Sequence, residues 1–149
     1  MILVEGSRLD YSRADGAQGQ LFLFTGNSYV TKAGDLVMGR GAAAEVKHRY
    51  PHVPGELGRQ ILAAKQRMGF YGLLWAGNIG VFQVKHHFRE PAEYGLIGDS
   101  ATLLATEAFA VPDLTFHMNF PGIGFGGLEY DRVLPMLASL PNNVIIYRE

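Results

Sequence analysis

Cysteine is absent from the 149 residues. That excludes disulfides, thiolate metal sites and a cysteine nucleophile, and it allows a reducing compartment. An excess of charge is also missing. Thirteen basic residues stand against fourteen acidic ones, a formal net charge of -1, so nothing global draws the chain to a nucleic-acid backbone or an anionic membrane. No general nucleic-acid binding is expected, and any anionic ligand has to be held locally. Charged residues make up only 18% and hydrophobic ones 48%, which is too little charge for a disordered tail and enough apolar material for a core. Long hydrophobic runs are lacking too. The longest uncharged stretch, Met68 to Val84, falls short of the ~20 apolar residues of a spanning helix and is interrupted by Gly69, Gly72, Gly77 and Gly80. The apolar start, Met1 to Glu5, lacks a basic leader and runs at once into Gly6, Ser7 and Arg8, so no signal peptide is expected. The expectation is a cytoplasmic protein with no membrane partner.

What is abundant is glycine, 19 residues, about twice the usual share. The length suits one domain over residues 1–149, and no repeat or linker divides it. Short β-type runs at Ile2 to Glu5, Gln20 to Phe24, Leu73 to Trp75, Val81 to Lys85, Leu114 to Met118 and Asn143 to Tyr147 are strand candidates. Between them lie helical patterns. Ala42, Val46 and Tyr50 recur at four-residue spacing, and Leu57, Ile61 and Met68 follow Pro54, a natural first-turn residue. A third helix is expected after Asp99 or Ser100 as cap, carrying Leu103, Leu104, Ala108 and Val111 on one side. A fourth shows Val133, Met136, Leu137 and Leu140, starting shortly before Pro135. Strands alternating with helices predict an α/β layer structure whose largely parallel sheet is covered on both faces. Such sheets bind ligands at the carboxyl ends of their strands.

Two glycine loops occupy strand-to-helix connections. The later one, Phe120 to Leu128, contains Gly122, Gly124, Gly126 and Gly127 with Ile123 and Phe125 between them, where backbone amides can face an anion at a helix N-terminus. Gly122, Gly124 and Gly127 satisfy the spacing G-x-G-x-x-G. A dinucleotide domain opens with that motif, however, and here only one helix and one strand remain, so the motif stands as a phosphate loop alone. The earlier loop, Gly26 to Gly41, holds Asn27, Tyr29, Asp35, Gly39 and Arg40. Two such loops suit two phosphates, although glycine turns also simply connect elements.

The order of these segments resembles the macro domains that bind ADP-ribose, over most of the chain. Asn27, then Val37-Met38-Gly39-Arg40-Gly41-Ala42-Ala43 and Lys47-His48-Arg49-Tyr50-Pro51, is similar to that family's first ligand loop and following helix. Pro121-Gly122-Ile123-Gly124, Gly126-Gly127-Leu128, Val133-Leu134-Pro135 and Asn143-Val144 resemble its second phosphate loop, last helix and last strand. The resemblance implies a three-layer α/β/α sandwich with a central mixed, largely parallel sheet, and ADP-ribose across its edge. It assigns the distal ribose to Asn27 and the diphosphate to Gly39, Arg40, Gly41, Ala42 and the loop Gly122 to Gly127. Amides and helix dipoles can hold a diphosphate without a cluster of basic side chains, as a chain of this net charge requires. One departure concerns the adenine, since many members carry Gly-Asp where this chain has Gly6-Ser7: either Asp10 substitutes or the adenine is recognised differently.

Lys85 ends the expected strand Val81 to Lys85 at the ligand-facing edge. With Arg89 and Ser100 it resembles the lysine segment of macro-domain glycohydrolases, in which a lysine attacks the opened ribose of ADP-ribosylated protein or DNA. Desolvation near other cations lowers a lysine's pKa and frees its amine. Those enzymes carry Pro-Thr where this chain has Gln83-Val84, and one subgroup uses an aspartate where this chain has Gly126-Gly127-Leu128. A surface lysine or a phosphate counter-charge is the other reading. Asp35 is a candidate for orienting water or a ribose hydroxyl, and equally an ordinary turn residue. Tyr29 and Phe125 are candidates for stacking on a base or ribose, or for packing. Phe22, Phe24, Trp75 and Phe82 read as core. No metal is expected: Pro51 separates His48 from His52, and the neighbours His86 and His87 point to opposite faces of an extended segment. The implied function is ADP-ribose binding with hydrolysis of an ADP-ribosyl linkage or of ADP-ribose 1″-phosphate, with no cofactor. A non-enzymatic reader and a general nucleotide-phosphate binder are the alternatives.

Overall fold

Six short strands form where β-branched, aromatic and other apolar residues cluster between turn residues. They are β1 (Ile2–Glu5), β2 (Gln20–Gly26), β3 (Leu73–Ala76), β4 (Ile79–Gln83), β5 (Thr115–Asn119) and β6 (Val144–Arg148). The computed structural model describes residues 1–68 and 70–149, the side chains of residues 65–68 excepted. Gly69 and the apolar contact expected of Met68 lie outside the described residues. The strands pair in the order β1-β6-β5-β2-β4-β3. All neighbours run parallel except β3 and β4, which the two-residue turn Gly77-Asn78 joins as an antiparallel hairpin.

Because side chains alternate across a strand, β2 sends Phe22 and Phe24 to one face and Leu23 to the other. The first face is covered by α1 (Gly41–Arg49) and α2 (Val53–Met68), through Val46, Leu57 and Ile61. The second is covered by α3 (Tyr94–Ala110) and by α4 (Tyr130–Val133), which runs on into a 3-10 turn at Leu134–Leu137. Both faces of the central strands are therefore buried, as a parallel sheet requires, while Ile2 on the edge strand β1 stays exposed. The α/β architecture with a mixed, mostly parallel sheet is the one expected.

Three elements differ from expectation. Helix α3 begins at Tyr94, with Glu93 in the extended cap position, so Asp99 and Ser100 lie inside the helix rather than before it. Gly95 and Gly98 in its first turns read as turn residues by propensity, but Leu96 and Ile97 are buried there and packing decides. Ser100 points inward and donates to Gln83 O at 2.8 Å. The fourth helix is one α turn followed by 3-10 geometry, with Pro135 at the start of the latter, where its missing N–H costs nothing. Strand β4 ends at Gln83, so Lys85 stands beyond it, while β2 runs on to Gly26. Phe22, Phe24 and Phe82 are buried, whereas Trp75 is half-buried and its indole N–H donates to Glu107 at 3.1 Å.

Candidate functional site

The five parallel strands all end at one edge of the sheet, and there an open cleft of about 1140 Å³ is found. Its floor and walls come from the strand ends: Gly26 at the end of β2 and Asn27 after it, Lys85 after β4, Asn119 at the end of β5 and Arg148 at the end of β6. This is the place where an open α/β sheet offers backbone groups that its own ladder leaves unused.

Asn27 is buried and sews the first loop together. Its Oδ1 accepts from the Tyr29 N–H at 2.8 Å, and its Nδ2 donates to Val37 O at 3.0 Å. The segment between folds back on itself through the Val30–Leu36 bridge. Its tip therefore leaves the cleft. Asp35 accepts from Thr31 N–H through its main-chain oxygen at 2.9 Å, and a side chain on Gly55 of α2 would meet its carboxylate at 3.2 Å. Asp35 belongs to a turn packed on α2 and does not line the cleft. Tyr29, 43% exposed, also lies outside the lining, edge-on to His87 and Phe88 at 4.7 and 5.4 Å between ring centres. The end of the same loop does enter it. Gly39, Arg40, Gly41 and Ala42 line the cleft where α1 begins, and no side chain caps that helix. Its first amides are thus available to a ligand.

The second loop is shaped by its own backbone. Leu128 N–H donates to Gly122 O at 2.9 Å, Gly127 N–H to Gly124 O at 3.2 Å, and Ala92 N–H to Gly126 O at 2.9 Å. Gly122 has φ +80°, and a side chain on Gly126 would come within 2.5 Å of Gly122 O, so both glycines serve the fold. Gly124 differs. Like Gly39, it has an ordinary φ and nothing within 4 Å of where a Cβ would be, yet both line the cleft. Phe125, 67% exposed, reaches back over the first loop: the Arg40 guanidinium lies 5.4 Å from its ring centre, and a side chain on Gly41 would touch it at 3.6 Å. The two glycine loops thus meet across the cleft, with Ile123 and Gly127 in the wall.

Lys85 is partly buried, and its Nζ donates to Phe88 O at 3.4 Å. Burial, and secondarily the Arg40 charge, hold its pKa below the ordinary lysine value. No ion pair among the described residues involves it. At the far end of the cleft Arg8 pairs with Glu45. Asp10 is absent from the lining. It caps the 3-10 turn Tyr11–Ala14, accepting from the Ser12 N–H at 3.0 Å and the Ser12 hydroxyl at 2.7 Å.

The cleft also contains residues that sequence reasoning missed. The Tyr11 hydroxyl, on the floor, lies 2.7 Å from Leu23 O and 2.9 Å from Asn119 Oδ1, and Asn119 Nδ2 donates to Thr25 Oγ1 at 3.2 Å. Asn119, a polar residue ending an apolar strand just before Phe120-Pro121-Gly122, was a readable signal; Tyr11, in a polar stretch, offered none. Among the described residues no three histidine, aspartate or glutamate side chains gather to hold a metal, and no helix is long and apolar enough to cross a membrane.

No family model matches the chain, and no curated protein matches it. Solved structures do. The macrodomain of Mycobacterium tuberculosis DarG is similar with a TM-score of 0.69 and 24% identity, over 99% of this chain and 98% of that one. The macrodomain of Thermus aquaticus DarG gives 0.63 and 19%, over 99% and 97%. Thermosipho africanus DarTG in complex with ADP-ribose gives 0.62 and 20%, over 89% of this chain and 39% of the larger one. These identities carry architecture, and with the strand order and the two loops at one sheet edge they establish that the chain has the macrodomain fold.

Proposed function

We propose that the chain binds ADP-ribose along this cleft and hydrolyses an ADP-ribosyl linkage on a protein or nucleic acid, or the phosphate ester of ADP-ribose 1″-phosphate. The carrying observation is the pair Gly39 and Gly124. Neither φ nor packing asks for glycine at either position, and both bring bare backbone to the cleft. A diphosphate approaching main-chain amides does ask for it. The cleft is lined from the end of β4 across β2 and β5 to the end of β6, three strand spacings or about 14 Å, and continues to Arg8, room for an extended nucleoside diphosphate sugar. The Thermosipho africanus neighbour, in complex with ADP-ribose, supports the same ligand.

In this reading the glycine loops hold the diphosphate, and the distal ribose lies toward Asn27 and Lys85. The lowered pKa of Lys85 raises the fraction of free amine at neutral pH. That amine attacks C1″ of the ring-opened ribose, the linked group leaves, and water then releases ADP-ribose and restores the amine. Calorimetry with ADP-ribose, and with ATP as comparison, tests the binding. Release of ADP-ribose from modified protein and DNA by wild type and Lys85→Ala tests the chemistry. No affinity below the millimolar range in folded protein sinks the ligand; equal rates with and without Lys85 remove it from the mechanism; comparable ATP binding favours a general nucleotide-phosphate site. A second reading, a reader without turnover, is favoured by Asn27, whose side-chain oxygen and nitrogen are both engaged within their own loop. Measurable turnover excludes it.

A further inference from the structure

We propose that Gln83 and Tyr71 form a buried strap that fixes Asn27 and Lys85 relative to one another, an inference that rests on the hydrolytic reading of the cleft. Strand β4 is apolar until its last residue, Gln83, which is 0% exposed. A buried amide is costly unless every polar atom finds a partner. Here each does. The side-chain Oε1 accepts from the N–H groups of Tyr71 and Gly72 at 3.0 and 3.1 Å, and Nε2 donates to Lys85 O at 3.4 Å. The main-chain N–H donates to Gly72 O at 2.8 Å, and the main-chain oxygen accepts from Ser100. One side chain therefore ties the segment leading into β3 to the carbonyl of the proposed nucleophile.

The second half of the strap is Tyr71, buried, whose hydroxyl donates to Asn27 O at 2.7 Å. The need for it follows from the sheet. Beyond Gly26 the β2–β4 ladder continues through Val84 N–H to Gly26 O and Ser28 N–H to His86 O, and the Asn27 carbonyl takes no part in it. Strand β5 pairs with β2 only as far as Leu23, so no strand serves that carbonyl. The Tyr71 hydroxyl does, and Gly26 makes the room: a side chain there would meet Val81 at 2.6 Å and the Tyr71 oxygen at 3.7 Å. Neither Gln83 nor Tyr71 lines the cleft, so each acts through another residue as a positioning group.

Tyr71→Phe removes one hydroxyl and keeps the ring, and Gln83→Met keeps the volume and removes the amide. The full chain is compared with both for melting temperature, ADP-ribose affinity, kcat and KM for ADP-ribose release, and the titration of Lys85 followed by NMR of 13C-methylated lysines, with Lys85→Ala assigning the signal. The expected result is a kcat loss of about 10- to 100-fold with KM and affinity within about twofold, since small misplacement of a reacting group is costly. The Lys85 titration also moves up toward the ordinary lysine range as the amine loosens from its seat. Folded variants with unchanged kcat overturn the strap, as does a kcat loss that only follows the unfolded fraction. Should Gln83→Met fail to fold, Tyr71→Phe decides alone. A wild type that binds ADP-ribose but releases none sinks the hydrolytic reading instead, and the strap then stands or falls on whether the Lys85 titration moves.

Discussion

Alanine at Gly39 or Gly124 should leave the fold untouched and weaken the ligand, and the size of both effects follows from the structure. No heavy atom lies within 4 Å of the added Cβ at either position, and neither φ is in the left-handed region. Alanine at such a site removes freedom from the unfolded chain and is neutral or stabilising by about 0.4–1 kcal/mol. In the cleft the same methyl group stands where a phosphate would contact main chain. Losing one charge-assisted hydrogen bond costs about 1.5–3 kcal/mol, or roughly 10- to 150-fold in affinity. Gly126→Ala is the contrasting control. Its Cβ would lie 2.5 Å from Gly122 O and 2.9 Å from Ala92 Cβ, so that variant loses stability first and affinity in consequence. Calorimetry with ADP-ribose beside thermal melting separates the two classes. If Gly39→Ala and Gly124→Ala both melt and bind like wild type, the diphosphate does not lie against these loops and the layout of the proposed site is wrong.

Two further predictions concern protons. Because burial and Arg40 hold the Lys85 pKa below its ordinary 10.5, ADP-ribose release should rise with pH through a limb lying below that value; Arg40→Gln removes one cause and should move the limb to higher pH in a pH–rate profile. His117 is buried, stacked on Phe22 at 4.7 Å, and bonded to Tyr147 and Gln20 at 2.8 and 2.6 Å. Burial first, then Arg13, pushes its pKa from 6.5 down to about 4. The unfolded chain therefore takes up this proton before the native one does. Stability is full above pH 6.5 and falls by about 3 kcal/mol as the pH drops toward 4, a slope that His117→Gln should flatten in denaturant titrations.

The sheet was legible because a parallel strand buried on both faces appears in sequence as a short apolar run between turn residues. Ile2 to Glu5 is β1 to the residue, and no other strand boundary moved by more than two positions. The helices were read less well where two local rules disagreed with packing. Gly95 and Gly98 hid the first turns of α3, and Asp99 and Ser100 then looked like a cap, although Ser100 serves the interior by bonding Gln83 O. Pro135 was placed correctly near a start, but the start is that of a 3-10 turn, since a longer α-helix would carry the proline in its interior.

The site divides along the same line between local and non-local information. Glycine-rich loops after strands are local signals, and Gly39 to Ala42 and Gly122 to Gly127 do meet at one sheet edge. Which glycines serve the fold is not local: Gly126 is fixed by a contact with Gly122 and Ala92, and only a structure reveals that Gly39 and Gly124 have no such neighbour. Asp35 and Tyr29 fell in the loop by sequence and outside the cleft in space, because Val30 and Leu36 pair and turn the tip onto α2. Lys85 was named from its place at the end of an expected strand, but its lowered pKa depends on burial and on Arg40 45 positions earlier, and its carbonyl is held by Gln83. A lysine at a strand end reads the same with or without those neighbours, so sequence can name the residue while only the assembled fold sets its proton affinity.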